Sequence, residues 1–194
     1  MSINCHVRIY VSCDSNKKPI PTRKSSKTDG LGHFDIQFDF SSKKILNHTY
    51  TNPVFSYGGT NNKPGYVKIF NADKTGIVFA GKKFKAYTYD YSASEADVNS
   101  CISIILSVLD ASSETTITKN AFSYRVSTGS FAIYTLNNHN CFHATAIYAK
   151  ATGYSSLLSI YNKYTTDYKK YSAYRMQKLY KEYWTYHGYY PKKK

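Results

Sequence analysis

Residues 33–40 read HFDIQFDF, with Phe34, Ile36, Phe38 and Phe40 on one side of an extended chain and His33, Asp35, Gln37 and Asp39 on the other. Apolar residues of a helix recur every three or four positions, so a strict period of two identifies a strand with one face in a core. A strand of this kind requires partners. CHVRIYVSC supplies a first one through Val7, Ile9 and Val11, and ILNHTY reads as the neighbour of the histidine strand, carrying His48. VKIFN, GIVFAGKKFKAYTYDY, AFSYRV and FAIYTL continue the pattern, whereas DSNKKPIPTRKSSKTDGLG and NPVFSYGGTNNKPG read as loop and turn.

Two segments change period. In SASEADVNSCISIILSVLDASS, Ser94 is placed to cap a helix with Asp97 three residues on, and Val98, Ile102, Ile105 and Leu109 step by four, three and four. CFHATAIYAKAT follows the break NNHN and stops at Gly153, as a helix does. In the tail, Leu157, Tyr161, Tyr164, Tyr168 and Tyr171 form an aromatic stripe with lysines between them, which predicts a further helix. Strands and helices in separate runs give an α+β chain with a central antiparallel sheet.

At 194 residues, 42% apolar and 20% charged, the chain has the composition of one folded domain. It holds no run of eighteen apolar residues, and its N-terminus lacks the charged and apolar regions of an export signal, so the expectation is synthesis in the cytoplasm without general export. Cys5, Cys13, Cys101 and Cys141 are then reduced thiols. A net charge of +14 points to an anionic partner, whether nucleic acid, a lipid surface or a cell-wall polymer. Nucleic acid is the weakest of these, because a metal nuclease needs an acidic or histidine metal set on a compact ββα unit, and no acid lies near Cys141.

The chemistry concentrates in NNHNCFHATAIYAKATG, where Cys141 sits between His139 and His143. A cysteine in the first turn of a helix meets backbone N–H groups and the positive end of the dipole, which favour the nucleophilic thiolate. The same amides, near Asn140 to Phe142, suit an oxyanion. Residues two apart on a helix diverge, so the flanking histidines are poorly placed as base, although His139, before the helix, could curl back. His33, opening the best-patterned strand, is the preferred base; His48, or else Asn47, would orient it. A zinc site built from His139, Cys141 and His143 has one-residue gaps unlike ordinary ligand spacings, and no metal or cofactor is expected.

RIYV, GHFDIQFDF, SYGG, the Ser94-capped helix and YTLNNHNCFHATAIYAKATG together resemble the circularly permuted papain-like cysteine hydrolases. These are the permuted NlpC-type peptidases and the lecithin:retinol acyltransferase-like proteins. The resemblance implies a permuted papain-like domain over residues 1–153 and a C-terminal Tyr/Lys-rich helical extension, 154–194, packed on it. It implies Cys141 as nucleophile, His33 as base and His48 as orienter, with Asn140 and Tyr57 at the substrate and oxyanion side. Bacterial members include antibacterial toxin effectors injected by contact-dependent machines such as the type VI secretion system. That implies an amidase acting on peptidoglycan peptides in the target-cell periplasm, with an immunity protein as a partner. A lipid-ester hydrolase or acyltransferase is the alternative on the same core, and a non-enzymatic basic protein binding an anionic polymer is the rival from another class.

Overall fold

The alternating segment forms strand β2 (His33–Phe38), antiparallel to β1 (Ser2–Ser12). The structure, a computed structural model, describes residues 1–12, 33–77, 84–135, 138–164 and 185–190. After β2 come the hairpin β3 (Lys43–Ile45) and β4 (His48–Tyr50), then β5 (Pro53–Gly59), β6 (Lys63–Asn71) and a short 3-10 segment (Ala72–Ile77). β7 (Phe84–Ser94) leads into α1 (Glu95–Ser107), which is followed by β8 (Leu109–Thr118), β9 (Ala121–Val126) and β10 (Ile133–Tyr134). Helices α2 (Cys141–Ala151) and α3 (Ser156–Tyr164) and strand β11 (Thr185–Tyr190) complete the described chain.

The fold is α+β: the main sheet runs β11-β7-β1-β2-β5-β6-β9-β8, with β10 beside β6 and every pairing antiparallel. Both helices fall where periodicity places them. The Ser94 hydroxyl accepts the Asp97 backbone N–H at the start of α1, and Val98, Cys101, Ile102 and Ile105 turn inward. Gly153 ends the α2 turn at φ +94°, a conformation that costs glycine little. Leu109, expected on the helix, instead opens β8, whose polar sequence DASSETTIT carries no apolar period.

Three other expectations are corrected. HTY of β4 pairs with KKI of β3 in a two-stranded sheet of its own, so ILNHTY spans the turn of that hairpin and does not lie beside β2. β2's actual neighbour is β5, the segment read as turns, because VFSY buries on both faces. The tail is helical only through α3 within the described residues, and 185–190 return as a strand along β7, so they belong to the main sheet. Tyr168 and Tyr171 of the stripe lie outside the described residues, as does Cys13. No helix among the described residues is long and apolar enough to cross a membrane.

One sheet face is an ordinary core: Val7, Ile9, Phe34, Ile36, Phe38, Phe55, Tyr57 and Val67 pack under α1, α2 and α3. The other carries the polar residues of β1 and β2, and two of these, Arg8 and Asp35, are buried too. Arg8, 6% exposed, lies opposite Asp35, 0% exposed. Its guanidinium donates from Nε to Asp35 Oδ1 at 2.6 Å and from an NH2 group to Oδ2 at 3.1 Å, with Gln37 Oε1 taking a further N–H at 3.2 Å. Such a fork satisfies both charges at once. Further along the same face, His6 joins three strands, its Nδ1 2.8 Å from Asp90 on β7 and its Nε2 2.9 Å from Asp39 just after β2.

Removing one member of the buried pair strands the other. Asp35→Leu is expected to cost about 3–5 kcal/mol in chemical denaturation, whereas Arg8→Met with Asp35→Leu recovers most of that loss. Burial alone would lower the His6 pKa, but the hydrogen bonds and charges of Asp39 and Asp90 outweigh it and raise it above 6.5. A raised folded pKa gives stability that is complete below the unfolded value and lost as pH rises through the folded one. Neutral imidazole keeps a single N–H, so one carboxylate loses its donor. Unfolding free energy measured from pH 5 to 9 is therefore expected to decline above neutrality in the wild type, and His6→Gln flattens that decline.

Candidate active site

Asn140 sets the start of α2. Its extended backbone, φ −113° and ψ 178°, cannot continue a helix, and its side-chain oxygen accepts the His143 N–H at 3.0 Å. Cys141 is therefore the first helical residue, and the first-turn amides and positive dipole end of α2 lie at its sulfur, the setting that favours a thiolate. Phe142, next to it, stacks on Phe34 of β2 at 4.4 Å and meets the edge of Tyr161 of α3 at 5.2 Å. The helix start is thus pinned to the strand that defines the sheet.

Cys141 is 5% exposed and faces two tyrosines. Burial raises the phenol pKa of both Tyr57 and Tyr134, charge on Cys141 raises each further, and Tyr134 also hydrogen-bonds the sulfur. Tyr57 donates its hydroxyl to the Phe131 carbonyl at 2.8 Å. This packing depends on Gly65, where a Cβ would collide with the Phe131 carbonyl and the Tyr57 hydroxyl. Gly65 also donates its N–H to the Ala132 carbonyl at 2.9 Å, locking the loop before β10 to β6. Sequence patterns carried no sign of this glycine's role beyond its place in NNKPG.

His139 and His143 share this side of the sheet. Their rings stack at 5.9 Å, and both pack on Phe131. His143 also lies parallel to Tyr161, 4.3 Å away, and its Nδ1 donates to the Asn138 carbonyl at 2.7 Å, an oxygen that accepts the Tyr161 hydroxyl as well. Burial lowers the His143 pKa, so the ring is neutral at pH 7. His139 is held by its backbone, which donates to Thr135 Oγ1 at 2.9 Å and accepts the Thr135 N–H at 3.0 Å. Its ring makes no hydrogen bond among the described residues.

Of the expected site residues, the structure brings Asn140 and Tyr57 to Cys141. It does not bring His33 there. Strand alternation puts Phe34 on the α2 side and His33 on the other. His33 Nε2 lies 2.7 Å from Ser56 Oγ and its ring stacks on Tyr10 at 6.2 Å, both on the Arg8–Asp35 face. Burial, and then the charges of Lys68 and Arg8, push its pKa down to about 3. His48 is remote from both: it stacks on Phe122 at 3.5 Å and pairs with Glu114 at 3.0 Å. Asn47, the other orienter considered, lies in the tip of that same hairpin.

Cys5 and Cys101 are buried in the core, and burial pushes their thiols up to about 11 and about 12, so neither is a ready thiolate. Among the described residues no group of three or more His, Cys, Asp or Glu side chains is placed to hold a metal ion. Comparison with protein families, with curated proteins and with solved structures finds no match.

Proposed function

We propose that the protein is a cysteine hydrolase that cleaves an amide bond, with Cys141 as its nucleophile and a peptidoglycan peptide as its first-choice substrate. The observation that carries this reading is the placement of Cys141 as the first residue of an Asn140-capped helix, against the Tyr134 hydroxyl. The base is His139 in this account. It precedes the helix, so the divergence of residues two apart on a helix does not apply to it, and its ring nitrogens are uncommitted among the described residues. His143, stacked beside it, supports its orientation.

In the reaction, the Cys141 thiol proton passes to His139 and the sulfur attacks the carbonyl carbon. First-turn amides of α2 and the Tyr134 hydroxyl stabilise the oxyanion. The C–N bond then breaks as His139 returns the proton to the leaving amine, and water resolves the thioester to a carboxylate and the free thiol. The substrate class rests on the resemblance carried by GHFDIQFDF and NNHNCFH. A role as an injected antibacterial effector, with an immunity protein as partner, rests on the same resemblance.

Purified peptidoglycan incubated with the protein is expected to release new amino groups, none with Cys141→Ala, and about 10²- to 10⁴-fold more slowly with His139→Ala. His33→Ala stays within about threefold of wild type, since that ring sits across the sheet. Full activity in His139→Ala, together with loss in His33→Ala, would contradict the assignment of the base. Fatty-acid release from phospholipid vesicles in place of amine release would move the substrate to a lipid ester on the same nucleophile.

A further inference from the structure

The face of the sheet away from α2 holds a lysine whose charge no group among the described residues balances. Lys68 on β6 lies in register with Ser56 on one side and Ser123 on the other, half-buried, and among the described residues its ammonium makes no hydrogen bond or ion pair. Among the described residues the acids of this face are already taken: Asp35 by the Arg8 fork, Asp39 and Asp90 by His6, and Asp110 by Arg125. Cations removed from water are ordinarily paired, because desolvation without a counter-charge is costly. Beside Lys68, Ser56 Oγ is 2.7 Å from His33 Nε2, and the Lys68 charge reaches the His33 ring.

We propose that Lys68, Ser56 and His33 form a binding site for a small oxyanion, a carboxylate or phosphate group, on the sheet face opposite Cys141. The donors are arranged in a chain. His33 Nε2–H donates to Ser56 Oγ, which releases the serine O–H to point at the anion, and the Lys68 ammonium donates from the adjoining strand. Entry is from the side where Lys68 and His33 keep part of their surface, since Ser56 itself is 2% exposed. A protein of net charge +14 draws anions to its surface, and this site would select those small enough to reach a half-buried ammonium. The site is independent of the hydrolase reading, because the sheet stands between it and the thiol.

The test is a titration of the full chain with inorganic phosphate and, separately, with acetate, at ionic strength fixed by chloride, following the His33 ring protons by NMR. At least one anion is expected to give a saturable shift. Lys68→Met weakens it by about tenfold or more, and Ser56→Ala by a smaller factor, while Lys68→Arg retains it. Saturation with phosphate alone assigns a phosphoryl ligand, and saturation with acetate as well assigns a carboxylate. Linear, non-saturating shifts with both anions, or equal affinity in folded Lys68→Met, would overturn the proposal. Ser56→Ala provides the same reading if Lys68→Met fails to fold.

Discussion

The buried Arg8–Asp35 fork is the interaction on which the two-sided sheet depends. A β2 strand with aromatic residues on one face and charges on the other would ordinarily show the charged face to water. Here Asp35 is fully buried and Arg8 nearly so, and both are tolerated because each satisfies the other through two hydrogen bonds, with Gln37 taking a third N–H. Burial pushes the Asp35 carboxyl up, and the guanidinium and the Tyr10 hydroxyl offset that only in part. With β1 and β2 fixed in register by this pair, Phe34 is committed to the α2 side and His33 to the other.

That commitment divides the chemistry of the molecule. On the helix side, Cys141 is held at a capped helix start among Tyr57, Tyr134 and the loop of Phe131, with two histidines stacked nearby. On the far side, His33 is tied to Ser56 under the field of Lys68 and Arg8, which disfavours a proton on its ring, and the sheet separates it from the thiol. The proposed thiol chemistry and the proposed anion site thus use opposite faces of one sheet, each drawing on the side chains of alternate residues.

Much of this was legible in the chain. The period of two in HFDIQFDF fixed β2 and its apolar face, the Ser94 cap fixed α1, and NNHN followed by an alanine-rich run ending at Gly153 fixed α2 and hence the position of Cys141. What was not legible depended on pairing between distant strands. His33 looked like a base because a histidine opening a strand can face either way until its neighbours are known, and only the Arg8–Asp35 register decides it. His48 looked adjacent to His33 because consecutive strands usually pair, but the short turn between β3 and β4 closes that hairpin on itself. β5 was hidden because Pro53, Gly58 and Gly59 read as turn residues while the apolar run between them was the stronger signal. β8, polar along its length, left no periodic trace at all.

The separation of the two faces is tested most directly by the histidine ring resonances before and after alkylation of Cys141. The account predicts that a carbamidomethyl group on that sulfur shifts the His139 and His143 rings and leaves His33 in place. A His33 shift as large as theirs, with its bond to Ser56 lost, would place His33 at the thiol and contradict the account.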